Sequence, residues 1–165
     1  MADGGRQELV EIKLEKGQNI ILCQSHFIKT VEDVYETLTS SSPHLKFGIA
    51  FNEASGDRLV RSDGNDDKLV NSSISIAERV GCGHVLVILL SDGYPINVLN
   101  RLKNVEEITT VYAATANDVS VVVYDDGKDG RCVLGVIDGK RPVGKENGED
   151  KEKRHKLLRD INYKR

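Results

Sequence analysis

The chain has 165 residues, a length that a single hydrophobic core can serve without the chain splitting. Apolar residues make up 39% and glycine adds 15 positions, which excludes a mostly disordered chain. With 23 basic and 26 acidic residues the net charge is −3, and residues 1–137 carry 13 basic against 20 acidic, so an extended electrostatic contact with nucleic acid is not expected from the body.

From Asp138 onward the balance reverses to 10 basic against 6 acidic residues. Acids are interspersed there and Leu157, Leu158 and Ile161 have helical spacing, so the tail is expected to form a solvated helix docked on its own body. Cys23, Cys82 and Cys132 are odd in number and show no Cys-x-x-Cys pairing, which points to a reducing compartment without structural disulfides. Met1–Val10 lacks the apolar stretch of a signal peptide, and the run Val85–Leu90 is too short to span a bilayer. The expectation is a cytoplasmic protein with no membrane or nucleic-acid partner.

Residues 1–7 read as flexible. Val10, Ile12 and Leu14 alternate with charged residues as in a half-buried strand, and Asn19–Cys23 reads as a buried one after the Lys16-Gly17 turn. Thr30 has the place of an N-cap before a helix whose Val31, Val34, Tyr35 and Leu38 share a face. Leu45–Ala54 and Arg58–Arg61 make a hairpin around Ser55-Gly56-Asp57. Leu69, Ser73, Ile76, Ala77 and Val80 then form the stripe of a second helix that ends at Gly81. Val85–Leu90 has no polar residue for a wet face and is predicted to be a central strand covered on both sides.

Pro95 opens a third helix with Val98, Leu99 and Leu102 inward. Ile108–Ala114, Val119–Tyr124 and Gly130–Asp138 are strand-like, the last two joined by an Asp/Gly-rich turn. Residues 139–150 read as a polar loop before a last helix over residues 151–160. Interleaved helices and strands predict an α/β fold, a single domain over residues 1–165 with a mixed β-sheet and helices on its faces.

The first candidate site is Cys23-Gln24-Ser25-His26-Phe27-Ile28-Lys29-Thr30, a polar run between a buried strand and a helix start, where backbone amides and a cation can meet an anion. His26 reads either as a nucleophile or general base, or as a loop histidine satisfied by a carbonyl. Lys29 reads as a phosphate partner or a surface lysine. The second candidate is Phe51-Asn52-Glu53-Ala54-Ser55-Gly56 with Arg61 and Gly64-Asn65-Asp66. There Glu53 suits a ribose hydroxyl, a cation-bound water or plain turn chemistry, Arg61 suits a phosphate, and Asp66 suits a helix cap. Asn97 and Asn100, one turn apart, suit a base or ribose, although helix capping also explains Asn97. Gly81-Cys82-Gly83-His84 is explained by a left-handed helix end, which makes His84 structural.

No Gly-x4-Gly-Lys-Ser/Thr loop, Gly-x-Gly-x-x-Gly fingerprint or Gly-x-Ser-x-Gly elbow occurs, and the histidines at 26, 44, 84 and 155 make no zinc-type pair. The runs Gln24–Asp33, Lys46–Phe51, Glu53–Gly56, Leu59–Arg61, Gly64–Asp66, Pro95–Asn100, Ala113–Asn117 and Gly135–Gly139 closely resemble, in this order, the adenosine-specific kinase family. The resemblance implies a three-layer α/β/α sandwich, a homotrimer, binding of adenosine or adenine nucleotides, and a phosphorylated histidine. Carried onto this chain, it implies His26 as the phosphohistidine, with His84 as the other acceptor. Gln24, Ser25 and Lys29 would surround the phosphoryl group, and Glu53, Ser55, Gly56, Arg61, Asn97 and Asn100 would line the nucleoside and phosphate pocket. Magnesium with ATP would be the cofactor, held by Glu53 or Asp66, with no organic prosthetic group. Two functional expectations follow: a phosphotransferase acting through a histidine intermediate, or a non-catalytic AMP/ADP sensor. A purely structural assembly protein is the third.

Overall fold

The alternation at the start of the chain produces a strand, β1 (Arg6–Ile12), which begins four residues earlier than the apolar pattern suggests because charged residues pair there as well. The computed structural model describes residues 4–165. Arg6 and Gln7, expected to be flexible with the rest of residues 1–7, are therefore in a strand, and residues 1–3 lie outside the described residues. There follow β2 (Asn19–Ser25), α1 (Thr30–Thr39), β3 (Lys46–Asn52), β4 (Val60–Gly64), α2 (Asp67–Val80) and β5 (Val85–Ser91). The chain continues through α3 (Pro95–Leu102), β6 (Ile108–Thr115), β7 (Val119–Asp125), β8 (Arg131–Asp138) and α4 (Gly148–Asp160).

The α/β fold takes a specific form. Five strands make one sheet in the order β4-β3-β5-β2-β6, and three make a second in the order β1-β7-β8. Every ladder is antiparallel, where one mixed sheet was expected. The reason lies in the crossovers. β2 and β3, joined through α1, do run the same way, but β5 is inserted between them; likewise β2 separates β5 from β6, and β3 separates β4 from β5. Each helical crossover skips one strand, so hydrogen-bonded neighbours are always opposed.

Alternation across the large sheet sorts its side chains into two cores. Ile20, Leu22, Ala50, Val85, Val87 and Leu89 face α2 and the inner face of the small sheet, meeting Leu69, Ile76, Ala77, Val80, Ile12, Val119, Val121 and Val123. Ile21, Cys23, Phe47, Ile49, Phe51, Leu86, Ile88 and Leu90 face α1 and α3, meeting Val31, Val34, Leu38, Val98 and Leu102. The result is three layers, and β5, the most apolar strand, lies at the middle of the large sheet with both faces covered. No helix among the described residues is long and apolar enough to cross a membrane.

Helix ends follow their chemistry. Asp66 caps α2 by accepting from Leu69 N at 3.1 Å, and Gly81 ends it in the left-handed conformation with φ 61°. Thr30 departs from the expected N-cap: it is the first residue of α1, and its hydroxyl turns back into the preceding loop. α4 forms, capped by Asn147 and Asp150, yet buries no residue; Leu157 is 57% and Ile161 47% exposed, so it is not docked as expected. Its apolar positions are too few for a buried stripe, and its ion pairs, such as Arg154 with Glu146, are internal to the tail.

α2 packs tightly on β3 at Gly48, where a Cβ would run into the backbone of Leu69 and Val70, and where Ser73 Oγ donates to the Gly48 carbonyl at 3.0 Å. Gly48→Ala should force α2 off β3 and cost about 1–3 kcal/mol, read as a lower urea midpoint at unchanged slope. An unchanged midpoint would contradict this packing.

Candidate functional site

One end of the large sheet gathers the chemistry. β2 and β3 finish there, and β4, β5 and β6 begin there. Backbone bonds cross the rim in sequence: His84 N donates to the Asn52 carbonyl (2.8 Å), Ser25 N to the His84 carbonyl (2.9 Å), and His26 N to the Glu107 carbonyl (3.1 Å). Two residues on this rim, Phe27 (φ 71°) and His84 (φ 62°), hold left-handed backbone that side-chain-bearing residues rarely adopt.

The β2–α1 connection is braced from within. Ser25, fully buried, lies 2.7 Å from Thr30 Oγ1, and Thr30 donates its single proton to the Phe27 carbonyl at 2.7 Å, with the His26 carbonyl at 3.1 Å, so Ser25 is the donor to Thr30. This tie explains why Thr30 does not cap α1. The His26 side chain is left exposed, its Nδ1 3.1 Å from the Glu107 carbonyl. Gln24 points to the opposite face, where its Oε1 accepts from Tyr112 at 2.8 Å.

Lys29 stands beside His26 but is not a free cation. Its ammonium is 2.8 Å from Asp33, 2.8 Å from Glu107 and 3.9 Å from Glu106. Hydrogen bonding to Asp33 and then to Glu107 holds its pKa above the ordinary lysine value, so it stays charged. Glu107 is 2% exposed; its Oε1 takes the charge contact with Lys29, and its Oε2 meets no donor. Glu107 and Asp33 were missed by the sequence reading. The Glu106-Glu107 pair before a strand looks like solvated turn chemistry, and only the fold shows that one of the two is buried.

Glu53, Ser55, Gly56 and Arg61 lie at the same sheet end in the β3–β4 hairpin. Strands are spaced by about 4.8 Å, so the strand ends carrying Glu53 and His26 are roughly 10 Å apart. Both oxygens of Glu53 are engaged, Oε2 by Leu59 N at 2.8 Å and Oε1 by Arg61 Nε at 2.9 Å. The bond from Leu59 N, followed by that from Arg61, pulls the Glu53 carboxyl below its usual pKa. This hairpin borders a groove of about 880 Å³ toward α2 and the β7–β8 turn, whereas Lys29 borders a separate one of about 580 Å³ between α1 and the α3–β6 connection. His84 stacks its ring on buried Phe51, with centroids 5.9 Å apart and planes 10° from parallel, as a structural histidine would.

Asn97 and Asn100 are not brought to this end. Asn97 lines a groove with Asn19, Asp92 and Ala116, at the far end of β2, about 20 Å away for a seven-residue strand. Its Oδ1 accepts from Tyr94 N at 2.8 Å in a capping box, and its Nδ2 faces the Tyr163 hydroxyl at 3.5 Å. The Asn100 side chain is exposed one turn further along α3.

The family model for adenosine-specific kinases matches residues 10–164. The chain belongs to that family. The crystal structure of the PH1918 protein from Pyrococcus horikoshii OT3 is similar at a TM-score of 0.92 and 40% identity, over 98% of this chain and 99% of that one. No curated protein matches. As a member of the adenosine-specific kinases, the chain has the class of function that the family name gives, an adenosine-kinase-like one.

The residues suggested for magnesium do not build a cage. Glu53 already accepts at both oxygens, Asp66 Oδ1 is the cap of α2, and no group of three or more His, Cys, Asp or Glu among the described residues has a metal-holding arrangement.

Glu53 gives a pH prediction. Its folded pKa is depressed, so its stabilising contribution is present above the ordinary value near 4.5 and is lost as pH falls through the lower folded value. Glu53→Gln should therefore melt below the parent at neutral pH, with the gap closing on acidification below about pH 4.5. A gap that stays constant down to the acid transition would contradict the Glu53–Leu59–Arg61 assignment.

Proposed function

We propose that this chain is an adenosine-directed phosphotransferase that carries the phosphoryl group on His26 between MgATP and adenosine. The observation that carries the reading is the exposed imidazole of His26 on a connection anchored by the Glu107 carbonyl and by the Ser25–Thr30–Phe27 hydrogen bonds. Family membership supplies the adenosine and the kinase class.

In this reading the imidazole attacks the γ-phosphorus in line and the bond to the β-phosphate oxygen breaks, releasing ADP. The amides of Phe27, Ile28 and Lys29 lie upstream of the first bonds of α1 and supply donors for the equatorial oxygens. Lys29 contributes its charge from a fixed position, since Asp33 and Glu107 hold it in place. Magnesium arrives with ATP as part of the substrate. The second half-reaction passes the phosphoryl group from His26 to an adenosine hydroxyl and gives AMP.

Glu53, Ser55, Gly56 and Arg61 share the sheet end with His26 and are the residues of one chain best placed to meet the rest of the nucleotide. Asn97 and Asn100, about a strand length away, would join that pocket only from a second copy. A homotrimer, as the resemblance implies, would provide one.

One observation favours the alternative, a non-catalytic AMP/ADP sensor: Lys29 faces two carboxylates at 2.8 Å and so leaves less charge for a transferring phosphoryl group. Incubation with γ-labelled ATP decides between the two. Transfer predicts acid-labile label on the protein that chases onto adenosine, with both signals falling more than about a hundredfold in His26→Ala. Stoichiometric AMP binding without label would establish the sensor instead.

A further inference from the structure

The carbonyl oxygen of Glu107 is an acceptor only, and it sits 3.1 Å from His26 N and 3.1 Å from His26 Nδ1. Both partners must therefore donate. A neutral imidazole has one proton to place, and here the carbonyl places it on Nδ1, which leaves the lone pair on Nε2. Ring geometry points that lone pair away from the anchored nitrogen, and His26 is an exposed residue.

We infer that the Glu107 backbone carbonyl is a positioning group that holds His26 as its Nδ1–H tautomer, so that phosphorylation goes to Nε2. The inference rests on the phosphotransfer reading for its chemical step, although the tautomer stands independently of it. In that step the Nε2 lone pair forms the N–P bond, the bond from γ-phosphorus to the bridging oxygen breaks, and ADP leaves with the electron pair. No proton is lost from the ring. It becomes a cation with Nδ1–H still donated to Glu107.

The return step gains from the same bond. A ring that keeps its Nδ1 proton leaves phosphorus as neutral imidazole, whereas a deprotonated one would have to leave as an anion. When an adenosine hydroxyl attacks, the N–P bond breaks toward Nε2, the lone pair returns there, and the hydroxyl proton passes to solvent. The device needs no side chain of its own, since it is the conformation of residues 105–108 that presents the carbonyl. That conformation is held by Ile108 N donating to the Val105 carbonyl at 3.1 Å, and the Glu107 carboxylate meanwhile fixes Lys29, three residues after His26.

Two measurements on the full chain test this. In the long-range proton–nitrogen spectrum of the free protein at mildly alkaline pH, the His26 ring, assigned by its loss in His26→Gln, should show Nδ1 protonated and Nε2 bare. One hydrogen bond of ordinary strength should bias the tautomers by roughly tenfold. After labelling with γ-labelled ATP and alkaline hydrolysis, chromatography against both phosphohistidine standards should recover the Nε2 isomer. A proton on Nε2 in the free protein, or label recovered as the Nδ1 isomer, overturns the proposal. A chain with Nδ1 protonated that takes no label supports the positioning role of Glu107 and removes the phosphotransfer reading alone.

Discussion

The carbonyl of Glu107 accepts from both the backbone and the ring of His26, and most of what is distinctive about the rim depends on that attachment. It ties the end of β2 to the start of β6, just where the ladder between them shifts register at Gln24/Ser25. The shift frees His26 from the sheet, and the Ser25–Thr30–Phe27 chain of hydroxyl and carbonyl then turns the backbone sharply into α1. A loop this well anchored can keep a left-handed Phe27 without collapsing, and it presents an imidazole to solvent in one orientation.

Charge around that imidazole is arranged for position more than for attraction. Lys29 is surrounded by Asp33, Glu106 and Glu107, and Arg61 is turned back on Glu53. Burying the Glu107 carboxylate with one oxygen unpartnered carries a desolvation cost that only a nearby cation offsets, and Lys29 is that cation. The basic side chains that a sequence reader would give to phosphate thus have structural partners. Binding of a polyphosphate must then draw on backbone amides or on competition with those carboxylates.

Most elements were legible because their signals are local. The six apolar residues of β5, the Asp66 and Gly81 ends of α2 and the Pro95 start of α3 each state their role within a few residues. Strand pairing was not legible, since the insertion of β5 between β2 and β3 is a long-range choice that alternation does not record. The same limit applies to the site. His26 and Lys29 stand out from a short run, but Glu107 enters through a contact 81 residues from His26 in sequence. Asn97 and Asn100 look like a matched pair with His26 until the sheet places a strand length between them. Leu157 and Ile161 had helical spacing without enough neighbours to make a face.

Phosphoryl chemistry at His26 requires a nucleotide to seat its phosphates at this rim. A crystal structure of the chain with bound ATP analogue or AMP tests it most directly. The expected result is a phosphorus atom within about 3–3.5 Å of His26 Nε2, in line for attack, with the Nδ1 contact to Glu107 intact. A nucleotide seated with its phosphates remote from the end of β2, with His26 facing only solvent, would contradict it.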